Sequence, residues 1–157
     1  MIKRIVSGGQ TGADRGALDA AIALGIPHGG WCPRGRLAED GRISDLYHLV
    51  ETESEDYAER TELNVRNSDG TVLFTFGEPS GGSAFTLECA RRLGKPCLRM
   101  DLLEVPDTAA AAILRSWTDG FQIETLNVAG NRESVAPGLE ERVRQIVVAA
   151  FDGSVEA

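Results

Sequence analysis

Three times in this chain a short strand-like run passes straight into a glycine-rich turn and then into a helical pattern. That alternation restricts the fold more than any other feature. Ile2 to Val6, rich in β-branched residues, leads into Ser7-Gly8-Gly9-Gln10-Thr11-Gly12. Thr71 to Phe76 leads into Gly77-Glu78-Pro79-Ser80-Gly81-Gly82-Ser83, and Gln122 to Val128 leads into Ala129-Gly130-Asn131-Arg132-Glu133-Ser134. Short runs of this kind, Thr71 to Phe76 the clearest, read as strands of a parallel sheet. Between them the apolar spacing turns helical. Ala17, Leu18, Ala21 and Ile22 form one face of a helix stopped by Gly25, and a second helix is stopped by Gly94. Further helices are expected over 53–67, from Pro106 to about Trp117, and from Pro137, the last burying Leu139, Val143, Ile146, Val147 and Ala150. Short strands are expected at 26–30, 47–50 and 96–100, and residues 33–45 read as a long polar loop. The pattern predicts an α/β fold: a Rossmann-like doubly wound parallel sheet with helices on both faces. With no linker or repeat visible, residues 1–157 read as a single ligand-binding domain.

In such a sheet ligands bind beyond the carboxyl ends of the strands, where all three turns lie. Glycine lets backbone N–H groups approach an anion, and a helix N-terminus adds partial positive charge. Ser7, Gly8, Gly9, Gln10, Thr11 and Gly12 are therefore one candidate anion cradle. This turn is neither the dinucleotide fingerprint nor a P-loop, since the glycine order differs and no Gly-Lys-Ser/Thr follows. A tight turn with a helix cap is the other reading, and the first turn alone leaves both open. The second turn offers Ser80, Gly81, Gly82 and Ser83. Because it follows the strongest central strand, it is expected beside the first turn, with a phosphate shared between the two. Arg132 on the third turn suits a bidentate contact with that phosphate. Arg34 and Arg36 in the long loop are further candidate charge partners.

The formal net charge of −8 argues against a broad surface for nucleic acid. No stretch is long and apolar enough for a membrane span, and the N-terminus has no signal-like apolar region, so the chain is read as cytoplasmic. Cys32, Cys89 and Cys97 lack metal-ligand spacing, and no metal ligand is assigned. His28 and His48 have no evident acid or nucleophile partner and are read as structural. Trp117 and Phe121 are a candidate exposed aromatic patch, or ordinary core.

The motif Ser7-Gly8-Gly9-Gln10-Thr11-Gly12-Ala13-Asp14-Arg15-Gly16-Ala17-Leu18-Asp19 resembles the opening of the molybdenum cofactor carrier family. The likeness continues through 30–41, 62–71, 80–83 and 126–134. The resemblance implies a carrier that binds the molybdenum cofactor (molybdopterin), or a related phosphorylated pterin or nucleotide, whose own dithiolene holds the metal. It also implies molybdoenzymes or cofactor-synthesis proteins as partners, and the wider superfamily, whose members commonly pair, implies a homodimer or higher homo-oligomer. The wider relatives are the Rossmann-like proteins that include DprA and the Lonely Guy enzymes. Against the Lonely Guy pattern Pro-Gly-Gly-x-Gly-Thr-x-x-Glu, Gly81, Gly82 and Glu88 keep their spacing, whereas Ala84 and Phe85 replace the last Gly and the Thr. That resemblance implies an alternative, a nucleoside-monophosphate N-glycosidic hydrolase with Glu88 as catalytic acid.

Overall fold

A computed structural model describes residues 1–153. In chain order the elements are β1 (Arg4–Val6), α1 (Ala13–Leu24), β2 (His28–Gly29), β3 (Trp31–Cys32), β4 (Leu37–Ala38), β5 (Gly41–Arg42), β6 (Val50–Glu51), α2 (Tyr57–Arg66), β7 (Gly70–Thr75), α3 (Gly81–Leu93), β8 (Cys97–Asp101), α4 (Asp107–Gly120), β9 (Thr125–Gly130) and α5 (Leu139–Phe151). A five-stranded sheet has the order β2-β1-β9-β7-β8, and each pairing in it is parallel. The fold is the Rossmann-like α/β architecture expected from the alternation.

The two faces of the sheet differ in chemistry. Ile5, Val72, Phe74, Leu126 and Val128 join the main core with α1, α4 and α5. The alternate residues point the other way, and there β9 carries Asn127, whose Nδ2 donates to Thr71 Oγ1 at 3.1 Å. On the side of α2 and α3 the apolar cluster is small: Val65, Cys89 and Ala90, with Phe85, Leu93 and Cys97 against them. Helix α1 packs on α5 and α5 on α4, while α2 packs on α3.

The stops at Gly25 and Gly94 stand where expected, both left-handed, with φ of 69° and 66°. Several other expectations change. β9 lies between β1 and β7, so the first two turns are not on adjacent strands. The run 26–30 yields only the two-residue β2 before Gly30, whose φ of 125° breaks it from β3. The long loop contains the antiparallel hairpin β4–β5, and the strand expected at 47–50 is β6, paired parallel with β3. The last helix begins at Leu139 behind Gly138 rather than at Pro137. Ile22, expected on the buried face of α1, is 40% exposed. Trp117 packs on the core, whereas Phe121, with its ring 5.8 Å away, is exposed.

Candidate ligand-binding cleft

The strand order brings the third turn to the centre, flanked by the other two. Beyond the strand ends lies a cleft of about 520 Å³. Residues 127–131 form its floor; Tyr57, Arg60, Thr61 and Asn64 of α2 form one wall. The second turn, with Phe85 and Thr86 of α3, forms another, and Gly8, Gln10 and Asp14 close the end beside β1.

The backbone N–H groups of the first turn are satisfied by the protein itself. Gly9 N–H donates to Ser7 Oγ, Gln10 N–H to Asp14 Oδ2 at 3.2 Å, Thr11 N–H to Gln10 Oε1 at 3.0 Å and Gly12 N–H to Glu140 Oε1 at 2.9 Å. Ala13 N–H donates to the Asn131 carbonyl. Its hydroxyls are engaged too: Ser7 Oγ donates to the Asp14 carbonyl, and Thr11 Oγ1 donates to Glu39 while accepting from Glu133 N–H. A Cβ on Gly12, where φ is 82°, would lie 2.3 Å from the Asn131 carbonyl oxygen, so this glycine serves close approach of two turns. Burial pushes the Asp14 carboxyl above its ordinary range, opposed by the Arg60 charge and the N–H groups of Gln10 and Gly8. Arg60 is itself held, donating from Nη1 to the Gly8 carbonyl at 2.9 Å and lying over the Tyr57 ring.

The second turn is different. Ser80 N–H donates to Ser83 Oγ at 2.8 Å, and Ser83 N–H to the Ser80 carbonyl. The N–H groups of Gly81 and Gly82, first in α3, have no hydrogen-bond partner among the described residues. Both glycines are exposed, and a Cβ on either would meet nothing within 4 Å. Unsatisfied N–H groups of this kind at a helix N-terminus suit an anion.

The third turn adds the charge. Arg132 is half-buried, its guanidinium 5.7 Å from the Tyr57 ring centroid, and it makes no ion pair among the described residues. Beside it Asn131 ties the turns together: its N–H donates to the Phe74 carbonyl, its Oδ1 accepts from Phe76 N–H and its carbonyl accepts from Ala13 N–H. Glu133 caps α5 by accepting from Gly138 and Glu140 N–H. Glu39, at the β4–β5 tip, bridges the first and third turns through Thr11 Oγ1 and the Ser134 hydroxyl and N–H. Partial burial raises the Glu39 carboxyl, but the bonds from Ser134 and Thr11 outweigh it and hold it below its ordinary range.

Among the residues singled out in the sequence, Gly8, Gln10, Ser80, Gly81, Gly82, Ser83 and Arg132 line the cleft. Ser7, Gly9 and Gly12 stand behind it as turn structure, and Thr11 faces a separate hollow shared with Glu39, Asp40, Glu133 and Glu140. Arg34 is exposed and away from the cleft. Arg36 is buried and donates to the carbonyls of Ile43, Ser44, Tyr47 and Leu49, so it fastens the loop rather than meeting a ligand. Glu88 is exposed and does not line the cleft. Cys32 is buried with Leu18, Ile43 and Tyr47, and burial pushes its thiol upward. His28 stacks on His48 and accepts from the His48 backbone N–H. The α2 wall leaves no mark in the sequence: Tyr57, Arg60 and Asn64 look there like ordinary positions of a polar helix. Asn127 carried a signal, a buried amide in the middle of an apolar strand.

The sheet, its flanking helices and a cleft at the strand ends define a Rossmann-like domain of the kind that includes DprA and the Lonely Guy proteins. The particular family is shown by sequence: residues 5–151 match the circularly permutated YpsA SLOG family, to which this chain belongs. It is similar to a protein of known crystal structure, "Putative molybdenum carrier protein" from Syntrophus aciditrophicus SB. The two are 45% identical, the match covers 96% of this chain and 95% of the other, and the TM-score is 0.93. No curated protein matches the chain. No described helix is long and apolar enough to cross a membrane.

Proposed function

We propose that this protein is a carrier that binds a phosphate-bearing pterin or nucleotide-like molecule in the cleft, with the molybdenum cofactor as its cargo. The observation that carries the proposal is the meeting of unsatisfied Gly81 and Gly82 N–H groups with the Arg132 guanidinium, held over the Tyr57 ring, in one cleft. A phosphate there takes N–H donors from the start of α3 and a charge-assisted contact from Arg132. This moves the phosphate from a site shared by the first two turns to one between the second and third. Tyr57 supplies apolar surface for a ring. The similar protein named as a molybdenum carrier directs the choice of cargo. No metal ligand is required of the chain, since the dithiolene of the cofactor holds the molybdenum. N-glycosidic hydrolysis is less well supported, because Glu88 lies outside the cleft.

Native mass spectrometry of protein purified without oxygen tests the proposal. The expected result is a mass excess equal to a phosphorylated pterin or nucleotide. Protein at its bare mass that stays so after incubation with such compounds would contradict it.

A further inference from the structure

Gln10 lines the cleft and is 5% exposed. Its Oε1 accepts the Thr11 N–H at 3.0 Å and the Glu39 N–H at 2.9 Å. Two backbone donors on one atom fix the amide orientation, because turning it over would set an NH₂ group against two N–H groups. Nε2 is thereby a donor, and it is buried without any hydrogen-bond partner. Thr11 and Glu39, which hold the oxygen, do not line the cleft, whereas Gln10 does. Asp14 lines the same end of the cleft, and its Oδ2 accepts the Gln10 N–H and lies 3.7 Å from Arg60 Nη1, so the second carboxylate oxygen is the one left to a ligand. This end therefore offers a carboxamide donor beside a carboxylate acceptor.

We propose that Gln10 and Asp14 form a subsite for the lactam edge of a heterocycle, the C=O next to N–H found in 6-oxopurines and 4-oxopterins. The ring oxygen accepts from Gln10 Nε2, and the adjacent ring N–H donates to the Asp14 carboxylate. This inference rests on the proposed phosphate site, which occupies the other end of the cleft. Because β9 separates β1 from β7, the two ends stand about 10 Å apart at two strand spacings. That separation suits a molecule with a ring at one end and a phosphate at the other. An amino-substituted ring reverses both partners: its NH₂ meets the Gln10 NH₂, and its ring nitrogen meets the Asp14 carboxylate. A site built with polar partners rejects such a mismatch strongly, since groups on both sides are left unpaired.

Isothermal titration of the full chain with inosine 5′-monophosphate, adenosine 5′-monophosphate and ribose 5-phosphate tests the subsite. The 6-oxo nucleotide is expected to bind about tenfold or more tightly than the 6-amino one. Gln10→Leu should bring that ratio near unity. If ribose 5-phosphate binds but the natural protein holds both nucleotides equally, the subsite is overturned and the phosphate site stands. A preference that survives Gln10→Leu overturns the role of Gln10. Failure of all three compounds to bind overturns the subsite and the phosphate site together.

Discussion

The first and second turns are written in the same residues, glycines flanked by hydroxyls, yet they do opposite things. In Ser7 to Asp14 the N–H groups of Gly9 to Ala13 find partners within the protein, four of them on side-chain oxygens of Ser7, Gln10, Asp14 and Glu140. At Ser80 to Ser83 the two glycine N–H groups are left open. The space around the glycines shows the same contrast. A Cβ on Gly8 or Gly12 would lie 2.4 or 2.3 Å from another atom, while Gly81 and Gly82 face open space. One turn uses glycine to let protein approach protein; the other leaves backbone bare. A glycine-rich turn thus becomes an anion site only where neighbouring carboxylates and carbonyls have not already taken its donors.

Gly12→Ala should break the first turn. The new methyl meets the backbone of the third turn, and φ stays in the left-handed region. A loss of about 3 kcal/mol or more is expected, seen as a fall in Tm of about 10 °C in thermal denaturation. Gly82→Val should do the reverse, leaving Tm within about 2 °C because the side chain enters open space. It should weaken binding of ribose 5-phosphate by roughly tenfold or more by blocking the bare amides. Equal stability losses in the two variants would erase the distinction between the turns.

The smallest effect concerns the clasp over the first turn. The Glu39 carboxyl is depressed in the folded protein, so its stabilisation is present above the ordinary glutamate pKa of about 4.3 and is lost as pH falls through the lower folded value. Glu39 is largely exposed, which limits the contribution to about 1 kcal/mol or less. Glu39→Gln should therefore melt about 2–3 °C lower at pH 7. The gap should close on acidification, measured by calorimetry from pH 7 to pH 3. A gap independent of pH would mean that the ionised carboxylate does not hold the clasp.

The sequence made the sheet and its helix stops legible because those depend on local patterns: Thr71 to Phe76 as a continuous apolar run, Gly25 and Gly94 as left-handed caps. Strand order was less accessible, since the insertion of β9 between β1 and β7 is a long-range pairing that no local signal encodes. The same limit applies to Arg36. Its charge is visible in the sequence, but the four carbonyls that hold it exist only once residues 43–49 have folded around it. For Glu88 the difficulty is its position along α3. Phe85 and Thr86 are the last residues of α3 to line the cleft, and Glu88 follows them further along the helix, exposed, so matching motif spacing does not bring it to the ligand.

The most direct test of the contrast between the turns is a ¹⁵N-resolved NMR titration of the assigned protein with ribose 5-phosphate. The largest amide shifts are expected at Gly81 and Gly82, together with the Arg132 side chain, while Gly9 and Gly12 barely move. Large shifts at Gly9 and Gly12 with Gly81 and Gly82 unmoved would contradict this contrast and return the phosphate to the first turn.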